Sequence, residues 1–307
     1  MRKFIKRICL GILLLLLISV SFIVVWLNLP VDTYANQIDF KTHWLFGNCS
    51  IDLEEESLIN EIVSFKFKDE YIVNSWWQRE GVKFIMGKLL PLRLNFYLEP
   101  VNNGEDFSYT VTIQSSKIKR LYQVYVFLIQ RTPNFKKDYK IECREHWQLI
   151  KPANASQEQC SASFKDLLVF SNDAKGFDAL INELSLKSQK DSPDADYYIY
   201  IQVSDDIGLM DYYVEKVKDE ASYDLFPTIS NVAQITLSLN YNNKDIEHAG
   251  CISFKALDTC DMKKVKSDVR FFMQFFKRVV DANGYKMVDK IEIDKNVVSV
   301  KFNITKN

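Results

Sequence analysis

Two cysteine–histidine pairs have the residue types and spacing that chemistry could use. Cys143-Arg-Glu-His146 and His248-Ala-Gly-Cys251 each set a thiol and an imidazole three positions apart. Together they would offer two thiolates and two imidazoles, the ligand types of a tetrahedral zinc site. The arrangement matches no standard finger spacing, so zinc is a secondary expectation and the chain is read as needing no metal or cofactor. A second candidate is a Cys/His nucleophile pair of Cys49 with His43, which would require an exposed thiol of lowered pKa. The common catalytic signatures, Gly-x-Ser-x-Gly, Ser-x-x-Lys and His-Glu-x-x-His, are all missing. The primary expectation is therefore a protein without catalysis of its own. A zinc-dependent or cysteine hydrolase is the alternative.

The other cysteine chemistry is oxidation. Cys143 with Cys160, and Cys251 with Cys260, are the pairs nearest in sequence, and in an oxidising compartment each is a disulfide candidate. Cys49 is then left over. A separate candidate is a contact site at Trp76 and Trp77 beside Tyr71. Adjacent residues on a strand point to opposite faces, so one of the two tryptophans is expected to stay exposed and to bind a partner.

The compartment follows from the amino terminus. Residues 8–27 form an uncharged run of twenty, long enough to cross a bilayer as a helix. Arg2, Lys3, Lys6 and Arg7 precede it, which places that end in the cytoplasm. The expectation is a single-pass signal anchor in a bacterial inner membrane over 1–29, with the bilayer contacted through 8–27. A stalk over 30–47 would follow, and a periplasmic body after it. Without the four leading basic residues, 35 Lys plus Arg face 40 Asp plus Glu, about −5. Both signs read as spread along the chain, so nucleic acid is not an expected partner. Nine scattered glycines form no phosphate-cradling loop.

Periodicity supplies the elements. Leu58, Ile62 and Phe65 after Asp52 predict a helix. Leu92–Leu98 and Phe107–Ile113 alternate as strands about a turn near Gly104. Tyr122–Gln130, Lys140–Leu149 and Ser163–Phe170 are read as further strands. Helices are predicted over Asp173–Leu186, Asp205–Ser222 and Asp261–Asn283, with strands at Tyr197–Val203 and Ile235–Tyr241 between them. A hairpin turning at Lys295-Asn296 ends the chain. The class expected is α+β, one transmembrane helix followed by mainly antiparallel sheet packed with amphipathic helices. The polar stretch 151–159 suggests a boundary between a domain over 48–150 and one over 160–307. A likeness between the segments starting at Cys160 and Cys251 hints at duplication of a strand–helix–strand unit. The function expected is binding of another protein in the envelope or periplasm, as an immunity protein against a delivered toxin or as an accessory of an envelope assembly or secretion system.

Overall fold

In a computed structural model, the structure describes residues 38–51, 66–67, 70–71, 91–101, 106–132, 135–153, 159–186, 194–202, 232–242, 247–258, 260–282 and 284–306, with Leu29, Asp32 and Glu80. Its frame is a sheet of twelve strands, antiparallel at every pairing. In chain order the strands are β1 (Leu45–Ile51), a separate two-residue pair β2 (Lys66–Phe67) and β3 (Glu70–Tyr71), β4 (Leu92–Val101) and β5 (Asp106–Gln114). Helix α1 (Ile118–Ile129) and the single turn α2 (Phe135–Asp138) precede β6 (Tyr139–Arg144) and β7 (Trp147–Pro152). Then come β8 (Cys160–Phe164), β9 (Leu167–Ser171), helix α3 (Phe177–Ser185) and β10 (Tyr197–Gln202). The chain closes with β11 (Val232–Asn242), β12 (Glu247–Ala256), helix α4 (Met262–Ala282), β13 (Tyr285–Asp294) and β14 (Val297–Lys306).

The sheet order is β13-β14-β12-β11-β10-β1-β4-β5-β9-β8-β7-β6. This corrects the expected fold class. The chain is mostly antiparallel sheet with few helices, and a transmembrane helix is not shown. Among the described residues no helix is long and apolar enough to cross a membrane, and residues 8–27 lie outside them. The expected helices over 52–65 and 205–222 also lie outside the described residues.

A repetition is visible in the topology. Strand β1, hairpin β4–β5, helix α1 and hairpin β6–β7 recur as β10, hairpin β11–β12, helix α4 and hairpin β13–β14. The equivalent strands β1 and β10 lie side by side and antiparallel, with Gly47 opposite Ile199. In the first copy the β8–β9 hairpin stands between β5 and β7, and α3 follows it. Cys160 and Cys251 do not correspond in this scheme. Cys160 opens the inserted hairpin, whereas Cys251 sits within β12. The stretch 153–159 joins β7 to β8, which pair directly.

Register sorts the side chains onto two faces, because successive residues of a strand alternate. On one face Phe177, Ile181 and Leu184 of α3 pack on Phe46, Tyr97, Leu149, Ala162, Val169 and Tyr200. The spacing of four and three is that of a single helix stripe. Beneath them runs a buried polar ladder. Asn48 donates to Asn95 at 2.5 Å, and Asn95 donates to Thr112 at 3.1 Å, which ties β1, β4 and β5 together. On the other face α1 and α4 pack over different strands, α1 on β8 and β9 and α4 on β12, β13 and β14. Ile118, Tyr122 and Val126 of α1 meet Ile150 and Leu168. Val265, Val269 and Met273 of α4 meet Ile252, Phe254, Val298, Val300 and Phe302. Gly250 is required at this second contact. A Cβ there would stand 2.4 Å from the Phe302 ring, which leans across the glycine to reach the core.

Three expectations about strands are corrected. Tyr122–Gln130 is part of helix α1. Its residues are apolar on all sides, so alternation carried no information, and the spacing of four from Ile118 to Tyr122 to Val126 decides. Lys140–Leu149 and Ser163–Phe170 are each a hairpin. Their turns, Glu145-His146 and Lys165-Asp166, place a non-glycine residue at φ +23° and +52°. Such turns usually announce themselves by Asn-Gly or Asp-Gly, and here they do not.

Candidate functional site

The structure does not bring the two cysteine–histidine pairs together. Cys143 and His146 belong to the β6–β7 hairpin at one edge of the sheet, and His248 and Cys251 to β12, nine strands away. At the usual strand spacing that is about 40 Å. His248 and Cys251 also point to opposite faces of β12, since they are three positions apart. Among the described residues no group of three His, Cys, Asp or Glu side chains is placed to hold a metal. His43 stands beside Glu99, with Nδ1 2.6 Å from Oε1. Cys49 lies six residues further along, about 20 Å at the rise of a strand, so the pair is not a catalytic one.

The disulfide expectation is corrected in the same way. Cys143, Cys160 and Cys251 are free thiols. Cys143 faces the side of α1, whereas Cys160 faces the side of α3. Cys251 faces away from α4, whereas Cys260 packs into the core beneath that helix. Nearness in sequence was the signal used, and alternation across the sheet defeats it. Burial pushes the Cys160 thiol up to about 11, while Cys143 is exposed. In the native protein Cys143 is expected to react with iodoacetamide within minutes and Cys160 only after denaturation. Peptide mass mapping reads both, and equal labelling of the two would contradict this burial. Of the aromatic cluster, Tyr71 falls in β3 opposite Lys66. Trp76 and Trp77 lie outside the described residues.

What the sheet does present is a face that no described helix covers. Over the strands β11, β12, β14 and β13, all described core packing is on the α4 side. The opposite side carries Thr236, Ser238 and Asn240, then Cys251, Ser253 and Lys255, then Ser299, Lys301 and Asn303, then Val288, Lys290 and Glu292. In the first copy this same side is covered by α3. A shallow hollow of about 470 Å³ opens there, between Ser238, Asn240, Cys251, Lys290, Lys301 and Asn303. Outside the hollow on the same face, Ser253 Oγ lies 3.0 Å from Ser299 Oγ. Lys290 and Lys301 stand directly opposite each other, an unfavourable like-charge pair. Glu292 resolves it by bridging both, at 2.9 and 2.8 Å. Hydrogen bonds from Lys301 and Lys290 pull the Glu292 carboxyl down to about 2, so it stays anionic at every pH above that. Val288 is 64% exposed amid these polar groups.

Sequence reasoning missed this surface. The polar members of the alternation in β11 and β14 were legible, but only their shared side, which no described helix covers, makes them a site. No family model matches the chain, and no curated protein matches it. The solved structures similar to it include crystal forms III, I and IV of TP0453, with TM-scores of 0.47, 0.43 and 0.45. Their identities to this chain are 8%, 7% and 9%, over 90% of this chain each and 94%, 93% and 93% of theirs.

Proposed function

We propose that this chain is a binding module for another protein in the bacterial envelope, working outside the cytoplasm and through recognition instead of catalysis. The observation that supports this reading is the bare polar face of β11, β12, β14 and β13. A sheet side that no described helix covers, with half-buried hydroxyls and exposed amides around an exposed valine, is suited to a partner with matching hydrogen-bond groups. The lysines at its rim favour a partner that carries carboxylates. The export-type amino terminus, four basic residues before an uncharged run of twenty, supports the compartment. An immunity protein that blocks a periplasm-delivered toxin is the specific version, since such a role needs only a surface in that compartment.

The test is site-specific photo-crosslinking of the full chain in its native cell. A benzophenone side chain at Asn240 or Asn303 on the bare face is expected to capture one defined protein. The same group at Lys263, on the outer side of α4, is expected to capture none. Val288→Glu with Lys301→Glu should lower the adduct yield about tenfold or more, as loss of a central contact does. For the immunity version, the same double variant should fail to protect cells from the captured toxin. Equal adducts at all three positions, or none at any, would refute the assignment of this face.

A further inference from the structure

Helix α1 is apolar beyond the stripe it buries. Ile118, Tyr122 and Val126 face the sheet. Yet Tyr125, Phe127 and Leu128 are 52%, 55% and 58% exposed, and Val124 is also open. A helix that is hydrophobic around most of its circumference normally meets a second apolar phase. The charges around it are one-sided. From Lys117 to Lys140 there are seven basic side chains and the single carboxylate of Asp138, a net of +6, in a chain whose total is −1. The remainder therefore carries −7. The even spread of charge expected from the sequence is corrected here, because these basic residues gather on α1, α2 and the start of β6.

The carboxyl end of α1 builds an aromatic tip. The Arg131 guanidinium lies over the Phe127 ring, 3.4 Å from its centre, and donates to the Phe127 carbonyl. The rings of Phe135 and Tyr139 stack at 5.5 Å. Phe127, Gln130, Arg131, Phe135, Tyr139 and Ile141 surround a hollow of about 560 Å³. Amphipathic aromatics beside cations are the side chains that settle at a lipid–water interface.

The tip is also at the right end of the molecule. Leu45 is opposite Leu98, and Leu98 opposite Tyr109. Following the register through β9, β8 and β7 brings this same row to Tyr139, at the start of β6. The chain enters β1 at Leu45, at that end of the sheet.

We propose that α1, α2 and the start of β6 form a peripheral docking surface for an anionic lipid bilayer. Leu128, Phe127 and Tyr125 enter the interface, and the surrounding lysines and arginines meet the phosphate headgroups. Charge complementarity selects the occupant, because each cation near an anionic surface adds to the attraction and the apolar tip supplies the insertion. This surface is separate from the bare face of the second copy, so either assignment can fail alone.

The test is hydroxyl-radical footprinting of the full chain in nanodiscs, in phosphatidylcholine alone and in phosphatidylcholine with phosphatidylglycerol. Any contribution of residues 8–27 is then common to both. Oxidation of Tyr125, Phe127 and Leu128 is expected to be at least about fivefold slower in the anionic discs, the attraction that even one basic residue near the surface provides. Phe271, an exposed aromatic on α4, should be oxidised equally in both and reports an intact fold. The variant Lys119→Glu, Arg131→Glu, Lys137→Glu is expected to lose the difference while Phe271 is unchanged. Equal rates in the two lipids overturn the proposal. So does protection that survives the charge reversal, or that appears in lipid-free protein on raising its concentration, which would assign the surface to a second copy of the chain.

Discussion

Val269→Asp is expected to unfold the second copy of the repeat. Val269 is fully buried on α4, in one cluster with Ile252, Phe254, Met273, Met287, Val298 and Val300. The substitution removes about 1.5 kcal/mol of apolar burial. It also places a carboxyl where nothing in the cluster can hydrogen-bond it, which costs several kcal/mol more whether the group stays charged or takes up a proton. A loss of about 4 kcal/mol or more is comparable to the entire stability of many domains. The consequence reaches the proposed binding face. Among the described residues, strands β11, β12, β14 and β13 are covered on the α4 side alone, so their other side keeps its shape only while α4 stays packed. Urea denaturation followed by near-ultraviolet circular dichroism measures the loss. Lys263→Asp, on the exposed side of the same helix, is the control and should change stability by less than about 0.5 kcal/mol. An unchanged midpoint for Val269→Asp would mean that α4 is not packed as described.

Phe177→Ala is the second large effect, and it tests the junction between the copies. Phe177 is fully buried at the start of α3, in contact with a cluster that runs from Leu149 and Val169 through Tyr97 and Phe46 to Tyr200. Truncating a buried phenylalanine costs about 3–5 kcal/mol, the transfer term plus a cavity. Tyr200 belongs to β10, the first strand of the second copy, and β10 joins the first copy through its pairing with β1. The damage should therefore cross the junction. Amide exchange in β10 is expected to accelerate along with that in α3, whereas the β13–β14 hairpin, held by the separate α4 core, should change least. Acceleration confined to α3 would show that its core does not support the β1–β10 pairing.

The structure also shows how far alternation and helical spacing carry a reading of this chain. They located α4, whose stripe through Val265, Val269 and Phe272 repeats over 21 residues, and the β13–β14 hairpin, whose Lys295-Asn296 turn contains an asparagine. They failed at α1. Ile-Lys-Arg-Leu-Tyr-Gln-Val-Tyr-Val-Phe-Leu-Ile is rich in β-branched and aromatic residues, and the polar residues that mark its open side, Lys119, Arg120 and Gln123, fall in its first half. The stretch from Val124 to Ile129 is wholly apolar and by itself reads as a buried strand. They failed also at β6–β7 and β8–β9, where turns built on Glu145 and Lys165 carry no glycine. The site chemistry was the least legible. Cys143, His146, His248 and Cys251 look like partners because two short motifs mirror each other, and nine strand steps across the sheet then hold them apart.

The amino-acid sequence by itself determined the local facts: which segments alternate, which step by three and four, and where an uncharged run and a basic cluster fall. These follow from neighbours a few residues apart, whose geometry a strand or helix sets without help. The tertiary structure alone decided that the two equivalent strands β1 and β10 meet at the centre, that α3 covers one side of the first copy, and that no described helix covers the matching side of the second. Those outcomes depend on pairings between residues far apart in the chain. A one-residue change of register would send every side chain of a strand to the opposite face, and no local pattern reports which face a distant helix will cover.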